Sequence, residues 1–334
     1  MASCCAALLS AAFLILNSCT DRGYTLIRKF PTIGELKPVN VIRYDPVEID
    51  LYSIVGQVDD YWLVYATKNQ YSYALTDKNF KPIVHFCGEG NGPGEFQWGV
   101  VCDSPRPRIE GDSLIVTIKD MARGTVNRTA VCIRDGMSKS KKTGEVSIMN
   151  RARYSLSNGT VIVNNNENRY FLIGQDGDTT YFETWGDNID AKEYEDWWIP
   201  RLQTDEIFTT DSSRMLVYTD RPYVWLHRTD GTLIKKVFVE KRPDEVREDF
   251  GGLGFDCGRL FGDHFLLMIS DLVSENPIKV SNRLMLFDYD MNPEAVYSIP
   301  GENLDFYSDP KTGLVWIPDP SEEVIRVYDL SEWI

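Results

Sequence analysis

The chain has 334 residues, of which 43% are hydrophobic and 12% aromatic, so it can bury a substantial core in one large domain or two ordinary ones and is not globally disordered. Its 35 basic and 50 acidic residues give a net charge of −15. Such a surface repels phosphate backbones, and no cluster of lysine or arginine offsets it, so nucleic acid is not an expected partner.

The N-terminal segment is typical of an exported protein. Its apolar run, residues 6–16, is long enough for the hydrophobic part of a signal peptide and too short to span a bilayer. The sequence Leu16-Asn17-Ser18-Cys19 then resembles a bacterial lipobox, in which the cysteine is lipidated and becomes the first residue of the mature protein. We predict a signal peptide over 1–18, a membrane anchor on the lipidated Cys19, and a tether over 19–38. An ordinary secretory signal and a short buried helix are the alternatives.

After the tether, short alternating apolar runs predict β-strands, and almost no amphipathic helix is indicated. Six runs are typical of half-buried strands that follow a turn: 61–67, 113–120, 159–166, 214–220, 264–271 and 313–319. Each run is followed by a second strand, a turn and a third strand. The sequence therefore predicts a repeated β unit.

Hairpin signals that contain an aspartate mark the same unit. The clearest signal is Thr229-Asp230-Gly231, which lies between two alternating segments of 221–240. The signals lie 39 to 60 residues apart, at Asp77, Asp135, Asp176, Asp230, Asp290 and Asp329. A period of this size is typical of propeller blades.

A repeating β unit cannot bury both of its faces alone, so the units are expected to close into a ring and to protect one another's edges. We predict one all-β domain over 39–334, a six-bladed β-propeller with four-stranded antiparallel blades. The early strand, 41–51, is expected to complete the last blade, which begins near Leu304, and so to close the circle. A seven-bladed propeller and a two-sheet sandwich are the alternatives.

The stretch HFCGEGNGPGEF, residues 85–96, is expected to cross from the outer edge of the first blade to the next blade. A phosphate-binding loop would need a helix start and usually a lysine, whereas Glu89 and Glu95 carry the wrong charge. We predict a structural loop in which Phe96 packs between blades and Glu95 caps backbone N–H groups. A ligand-facing loop is the alternative. The loop residues are Gly88, Gly90, Gly92, Pro93, Gly94, Glu95 and Phe96.

Residues 86–96, FCGEGNGPGEF, resemble the G-x-G-x-G-P-G-E-F signature of the TolB-like six-bladed propeller lipoproteins of Bacteroidetes. In those proteins a lipobox also precedes a β-propeller. The resemblance implies an exported, lipid-anchored binding protein of the cell envelope, in the outer membrane of a Gram-negative bacterium. It assigns no catalytic residues.

Four cysteines remain in the body of the chain: Cys87, Cys102, Cys132 and Cys257. Cys87 and Cys102 flank the glycine stretch, and a disulfide between them would contribute about 3 kcal/mol in the chain-entropy model. Unpaired buried thiols are an equal alternative. No Cys-x-x-Cys motif or His/Cys spacing suggests zinc, and we predict neither a metal nor a cofactor.

Two further patterns resemble functional motifs but have structural explanations. Residues 111–114 spell GDSL, yet Ser113 opens a strand and no histidine has the aspartate that a hydrolase triad requires. Residues 288–299 start like a calcium loop, yet Pro293 and Ile299 stand where a glycine and a glutamate belong. We predict a turn and a hairpin at these places.

The segment 183–206 interrupts the repeat and is rich in aromatic and acidic residues. Aromatic faces beside carboxylates and amides hold sugar rings or extended peptides. We predict ligand binding by Trp185, Tyr194, Trp197 and Trp198. The alternative is a crossover whose tryptophans cover the edge of the propeller.

These patterns together predict a membrane-anchored propeller that binds a glycan, a peptide or an envelope protein on one face, without catalysis. A propeller suits this use because its loops converge on one rigid surface, so that binding orders few residues. Two alternatives remain: a carbohydrate hydrolase or lyase with carboxylates in the central channel, and a structural scaffold in an envelope complex.

Overall fold

The computed structural model describes residues 20–21, 24–92, 94–102, 106–145, 153–155, 161–164, 170–174, 176–182, 206–209, 214–218, 223–239, 255–273, 279–301 and 305–334. This part of the chain is all-β, as predicted, and ends in a short 3-10 turn, Ser331–Trp333. Its strands form six sheets, which we number I to VI in chain order. Within the described ranges, no helix has the length and hydropathy needed to cross a bilayer.

Four short strands precede the first sheet and pair elsewhere. They are β1 (Thr20–Asp21), β2 (Tyr24–Ile27), β3 (Thr32–Glu35) and β4 (Asn40–Arg43). Sheet I contains β5 (Asp50–Val58), β6 (Tyr61–Lys68), β7 (Tyr71–Thr76), β8 (Pro82–Glu89) and β9 (Glu95–Phe96). Sheet II contains β10 (Gly99–Cys102), β11 (Arg108–Glu110), β12 (Ser113–Asp120), β13 (Thr125–Cys132) and β14 (Ser138–Glu145). Sheet III contains β15 (Arg153–Ser155), β16 (Val161–Asn164), β17 (Tyr170–Ile173) and β18 (Thr179–Phe182).

The second half of the chain repeats this antiparallel meander three times. Sheet IV contains β19 (Glu206–Thr209), β20 (Arg214–Tyr218), β21 (Tyr223–Arg228) and β22 (Leu233–Val239). Sheet V contains β23 (Phe255–Phe261), β24 (His264–Val273), β25 (Lys279–Asp288) and β26 (Pro293–Ile299). Sheet VI contains β27 (Tyr307–Asp309), β28 (Leu314–Asp319) and β29 (Val324–Asp329).

The six predicted apolar runs form the strand that lies next to the first strand in each sheet, namely β6, β12, β16, β20, β24 and β28. In sheet V, alternate side chains of β24 bury against opposite neighbours. Phe265 and Leu267 pack toward sheet IV, while Leu266 and Met268 pack toward sheet VI. Because a strand covered on both faces needs apolar residues at every position, these segments are continuously apolar.

The aspartate signals correspond to turns that share one hydrogen bond. The Oδ1 atom of the aspartate accepts the backbone N–H two residues further along, at 2.8 to 3.2 Å, in Asp77, Asp135, Asp176, Asp230 and Asp329. In sheet V this bond is made by Asp288 instead of the predicted Asp290. Hydrogen bonds from backbone N–H groups stabilise the carboxylate form and lower the pKa of Asp135 and Asp230.

Hydrophobic clusters lie between neighbouring sheets. The described residues form five clusters, between sheets I and II, III and IV, IV and V, V and VI, and VI and I. The first strands of sheets IV, V, VI and I are also in contact: β19 contacts β23, β23 contacts β27, and β27 contacts β5. Sheets that pack face to face with their first strands together have the arrangement of a β-propeller.

Sheets VI and I meet although they lie at opposite ends of the chain. The ring centroids of Trp62 on β6 and Trp316 on β28 are 5.1 Å apart. The N-terminal β4 pairs antiparallel with β29, so sheet VI takes its fourth strand from the start of the chain, as predicted.

The predicted single strand over 41–51 is wrong in its extent. β4 ends at Arg43, and a turn separates it from β5 in sheet I. Asp45 makes this turn, because its side chain accepts the N–H of Val47 at 2.8 Å and its carbonyl accepts the N–H of Ile49 at 3.0 Å. The segment therefore serves two sheets instead of one.

The region predicted as a tether also forms sheet structure. β2 pairs in parallel with β22 at the outer edge of sheet IV, and β3 pairs in parallel with β26 at the outer edge of sheet V. Outer strands present unpaired backbone groups that another strand can satisfy. Ile27 is buried between sheets IV and V, and the ring of Phe30 lies edge-on to Phe287 at 5.4 Å. The strands β1, β2 and β3 therefore take up half of the predicted tether.

Candidate functional site

The glycine stretch forms a compact loop that returns to its own sheet. β9 pairs in parallel with β8, with Gly88 opposite Glu95 and Glu89 opposite Phe96. The N–H of Gly90 donates to the carbonyl of Phe96 at 3.1 Å. The side chain of Glu95 accepts the N–H of Gly92 at 2.7 Å. Since the carboxylate of the loop engages this N–H group itself, the arrangement is that of a self-capped structural loop and not of a phosphate cradle.

Two residues at the end of β12 and in the turn that follows it hold this loop in place. The Arg123 guanidinium donates to the carbonyls of Glu95 at 3.0 Å and Gly90 at 2.6 Å. Asp120, whose side chain is 1% exposed, accepts the N–H of Gln97 at 3.1 Å and lies 3.4 Å from the guanidinium of Arg123. Charge-assisted bonds of this kind fix the loop against the second sheet.

Close packing explains the glycine at position 94. Its φ is +80°, which other residues rarely adopt, and a Cβ atom there would overlap the side-chain oxygen of Ser138 on β14. Gly99, just after the loop, is equally confined, because a Cβ would overlap the sulfur of Cys87. The glycines thus let the loop approach both sheets.

The loop places two aromatic residues in opposite environments. Phe96 is 4% exposed and belongs to the cluster between sheets I and II. Trp98, two residues later, is 65% exposed. The packing of Phe96 and the hydrogen bond of Glu95 are the contacts expected of a structural loop, while Trp98 faces solvent beside it.

A cleft of about 410 Å³ opens between sheet I and the start of sheet II, next to Trp98. We call it the Tyr65–Trp98 cleft. Its aromatic and polar lining residues are Ser53, Tyr65, Ser72, Tyr73, Glu89, Phe96, Gln97 and Trp98.

One wall of this cleft belongs to a row of side chains across sheet I, of which Ser53, Tyr65 and Tyr73 line the cleft. Strand register places Ser53, Tyr65, Tyr73 and Phe86 side by side on four neighbouring strands. The rings of Tyr65 and Tyr73 have centroids 5.4 Å apart, and those of Tyr73 and Phe86 5.8 Å apart. Tyr65 is 39% exposed and therefore offers an aromatic surface to a ligand.

Tyr73 fixes the base of the cleft. Its hydroxyl accepts the N–H of Val101 at 3.2 Å, which ties sheet I to β10 of sheet II. Burial raises the pKa of Tyr73 to about 12, so the phenol remains protonated at physiological pH. With exposed rings at Tyr65 and Trp98 and the polar side chains of Glu89 and Gln97, the cleft can stack on a ring and bind its hydroxyl groups.

A second cleft, of about 530 Å³, lies at the outer edge of sheet I beside the turn over 134–136. It is lined by charges of both signs, from Glu48, Lys68, Arg134 and Asp135. Burial lowers the pKa of His85 in this cleft, so the imidazole is neutral at physiological pH. The lining offers less aromatic surface, and we take the Tyr65–Trp98 cleft as the stronger candidate.

The calcium-like segment is a hairpin, as predicted from its sequence. The Asp288 carboxylate accepts the N–H groups of Asp290 and Asn292 at 2.9 and 2.7 Å. The ammonium group of Lys235 donates to the carbonyls of Asp290 and Met291, both at 3.1 Å. Its ammonium group also donates to the side-chain oxygen of Asn292 at 2.8 Å, so the lysine is bound to the turn. The part of the chain that the structure describes has no group of three or more metal-ligating side chains.

The GDSL sequence forms the turn between β11 and β12. Gly111 has a φ of +59°, and Ser113 starts β12 opposite Glu110. A strand start does not provide the turn before a helix on which a hydrolase nucleophile sits.

Cys87 and Cys102 both lie in the buried region between sheets I and II. Cys87 is a free thiol, so the disulfide considered for this pair is not formed in the structure. Burial, with a smaller effect from the charge of Asp120, raises the pKa of Cys87 to about 12.

Several predicted functional residues lie outside the described residues: Cys19, Pro93, Trp185, Tyr194, Trp197 and Trp198. Sequence reasoning also missed the Tyr65–Trp98 cleft. A signal was present, because β5, β6 and β7 are rich in tyrosine and Trp98 directly follows the glycine loop. It could not be used, because which tyrosines share a face depends on strand register.

Comparisons with known proteins show the fold and no closer relationship. No family model and no curated protein matches the chain. A crystal structure of a member of the DUF4221 family from Bacteroides vulgatus is similar, with a TM-score of 0.53, 10% identity, and coverage of 88% of this chain and 98% of that chain. BamB from Moraxella catarrhalis matches with a TM-score of 0.38, 11% identity, and coverage of 88% and 99%.

Raptor from Chaetomium thermophilum matches with a TM-score of 0.45 and 10% identity, over 88% of this chain and 28% of that chain. At such identities the similarity concerns the backbone arrangement alone. The strand order and the packing of the sheets are those of an all-β, propeller-type fold, and the DUF4221 structure shares this backbone arrangement.

Proposed function

We propose that this protein is a lipoprotein of the cell envelope, of the TolB-like six-bladed propeller type, and that it binds a glycan in the Tyr65–Trp98 cleft without catalysis. In this proposal residues 1–18 form the signal peptide and the acyl chains on Cys19 anchor the protein, in the outer membrane of a Gram-negative bacterium. The ligand reaches the cleft from the side of sheets I and II. No nucleic acid, metal or cofactor takes part.

The six-bladed ring is supported by the way in which sheet VI meets sheet I. The two are joined by the cluster around Trp62 and Trp316, and β4 completes sheet VI before the chain enters sheet I. In a closed ring of six sheets, a cleft between two neighbouring sheets has a rigid sheet on each side. A rigid cleft binds with little ordering of side chains.

The observation that carries the binding proposal is the pair of exposed aromatic rings beside polar groups. Tyr65 on β6 and Trp98 in the link between β9 and β10 line one cleft, where Glu89 and Gln97 supply a carboxylate and an amide. Stacking contributes apolar contact with a sugar ring, and the polar groups select its orientation. Net negative charge favours a neutral or basic sugar over an acidic polysaccharide.

The proposal is tested with the mature chain on a glycan array, followed by calorimetric titration with the oligosaccharide that binds best. Loss of one stacking ring removes about 0.5–1.5 kcal/mol, so Trp98→Ala and Tyr65→Ala are each expected to weaken binding up to about tenfold. Tyr181→Ala is the matched control, because Tyr181 is 44% exposed on sheet III, away from the cleft.

Two outcomes would contradict this function. Glycan binding that neither cleft variant weakens would place the site elsewhere, and the variant Trp197→Ala with Trp198→Ala then tests the segment 183–206. Conversion of the glycan to products would favour the hydrolase or lyase alternative over simple binding.

The lipid anchor is tested separately from ligand binding. Cells that express the protein are grown with labelled palmitate, and Cys19→Ser is expected to abolish the label while the protein is still exported. A labelled Cys19→Ser protein would contradict the proposed anchor.

A further inference from the structure

The N-terminal segment over 24–43, which we call the strap, is bound to sheet edges from its start. β2 pairs with β22 through Thr25–Val237, Leu26–Phe238 and Ile27–Val239. β1 folds back on β2, with Thr20 opposite Thr25. Thr20, the residue after the predicted lipidation site, therefore lies at the outer edge of sheet IV.

Buried side chains hold the start of the strap in this position. The ring of Tyr24 lies edge-on to the rings of Tyr223 at 5.3 Å and Trp225 at 6.0 Å. Ile27 is 4% exposed within the cluster between sheets IV and V. Contacts of this kind and parallel pairing together keep the strap on the sheets instead of leaving it as a free linker.

The strap is basic in a chain of net charge −15. From residue 24 to residue 43 the sequence has one acidic residue, Glu35, and four basic residues: Arg28, Lys29, Lys37 and Arg43. Basic residues beside a lipid anchor are attracted to anionic headgroups, and their effect falls off within a Debye length.

The edge of sheets IV and V also exposes apolar side chains, of which Ile33 lies close to these bases in the sequence. Arg28 and Lys29 are exposed in the link between β2 and β3. Ile33 on β3 is 66% exposed, and Ile234 on β22 is 40% exposed. Exposed apolar residues flanked by bases are typical of surfaces that contact the headgroup region of a bilayer.

We propose that the outer edge of sheets IV and V rests on the bilayer. The propeller then stands edge-on to the membrane and is not held at a distance by a flexible linker. This rests on the proposed lipid anchor. One residue spans at most about 3.8 Å between Cα atoms, so an acylated Cys19 holds the edge of sheet IV within a few ångströms of the headgroups. Arg28 and Lys29 then contact anionic lipid.

The orientation has a consequence for ligand access. In a ring of six sheets, sheet I lies opposite sheet IV and sheet II opposite sheet V. The Tyr65–Trp98 cleft, between sheets I and II, consequently lies on the half of the ring that is farther from the membrane. A glycan attached to another structure could reach the cleft without passing between the protein and the bilayer.

The orientation can be tested without relying on lipidation in cells. The chain from residue 19 onward, with Cys132→Ser, is coupled through Cys19 to a maleimide lipid in vesicles of phosphatidylethanolamine and phosphatidylglycerol. The rate at which an added amine-reactive reagent labels each lysine is measured by mass spectrometry, with and without vesicles. Lys29 is expected to react at least threefold more slowly on vesicles, while Lys139 and Lys141, exposed on the outer strand of sheet II, keep their rates.

A charge-reversal pair provides the second measurement. Unanchored chains from residue 20 onward are sedimented with the same vesicles. Arg28→Glu with Lys29→Glu is expected to reduce the bound fraction several-fold, while Lys139→Glu with Lys141→Glu, which makes the same change of charge at the opposite edge, leaves it unchanged. Circular dichroism verifies that both variants are folded.

The outcomes separate this inference from the lipid anchor. The edge-on orientation would be overturned if Lys29 and Lys139 were slowed equally on coupled vesicles. It would also be overturned if Lys139→Glu with Lys141→Glu reduced vesicle binding and Arg28→Glu with Lys29→Glu did not. Absence of palmitate on Cys19 in cells would instead refute the anchor, whatever the coupled protein shows.

Discussion

Replacing Phe96 by alanine tests whether the glycine loop is mainly structural. The side chain is buried between sheets I and II, and its Cβ lies against Gly99. A buried phenylalanine removes about 200 Å² from water, which at about 25 cal/mol per Å² corresponds to about 5 kcal/mol as an upper estimate. Core substitutions of this type cost about 3–5 kcal/mol. At roughly 2–4 °C per kcal/mol, we expect Tm to fall by about 10 °C.

The measurement is thermal unfolding by calorimetry, with urea unfolding followed by circular dichroism as a second method. Trp98→Ala is the control, since it removes a larger but mostly exposed ring two residues away and should change stability by less than about 0.5 kcal/mol. If Trp98→Ala lowered Tm as much as Phe96→Ala, or if Phe96→Ala had no effect, the assignment of the loop as a brace between the sheets would be refuted.

Three further predictions concern buried polar groups. Asp319→Ala leaves the Arg326 guanidinium buried without its Asp319 partner, so we expect a loss of about 3–5 kcal/mol in urea unfolding, and an unchanged midpoint would contradict this. Burial lowers the pKa of His85 below 6.5, so below that pH the unfolded state binds more protons than the folded state and stability falls. His85→Gln should therefore make the urea midpoint depend less on pH between pH 7 and 5, and an equal dependence in both proteins would contradict this. The thiol of Cys87, with its pKa raised to about 12, should react with Ellman's reagent only on unfolding, and rapid labelling of the native protein would show that it is accessible.

The candidate site was only partly accessible to sequence reasoning. The charges at Glu89 and Glu95 argue against a phosphate loop, and the structure accordingly shows Glu95 bonded to the N–H of Gly92. The clamp from Arg123 could not be foreseen, because it lies about thirty residues away and reaches the loop only when sheets I and II pack together. The same packing brings Tyr65 and Trp98 to one cleft.

The local elements could be predicted from the sequence. A strand that is buried on both faces must be apolar along its length, so β6, β12 and β24 could be predicted from a few consecutive residues. An aspartate before a tight turn accepts the backbone N–H two residues further along, so the turns at Asp77 and Asp230 could be predicted in the same way. Which sheet edges pair depends on the packing of the whole chain. Ile27 pairs with Val239, more than two hundred residues away, because the outer strand of sheet IV leaves backbone groups unpaired. No local sequence pattern indicates which distant edge a short strand will cover.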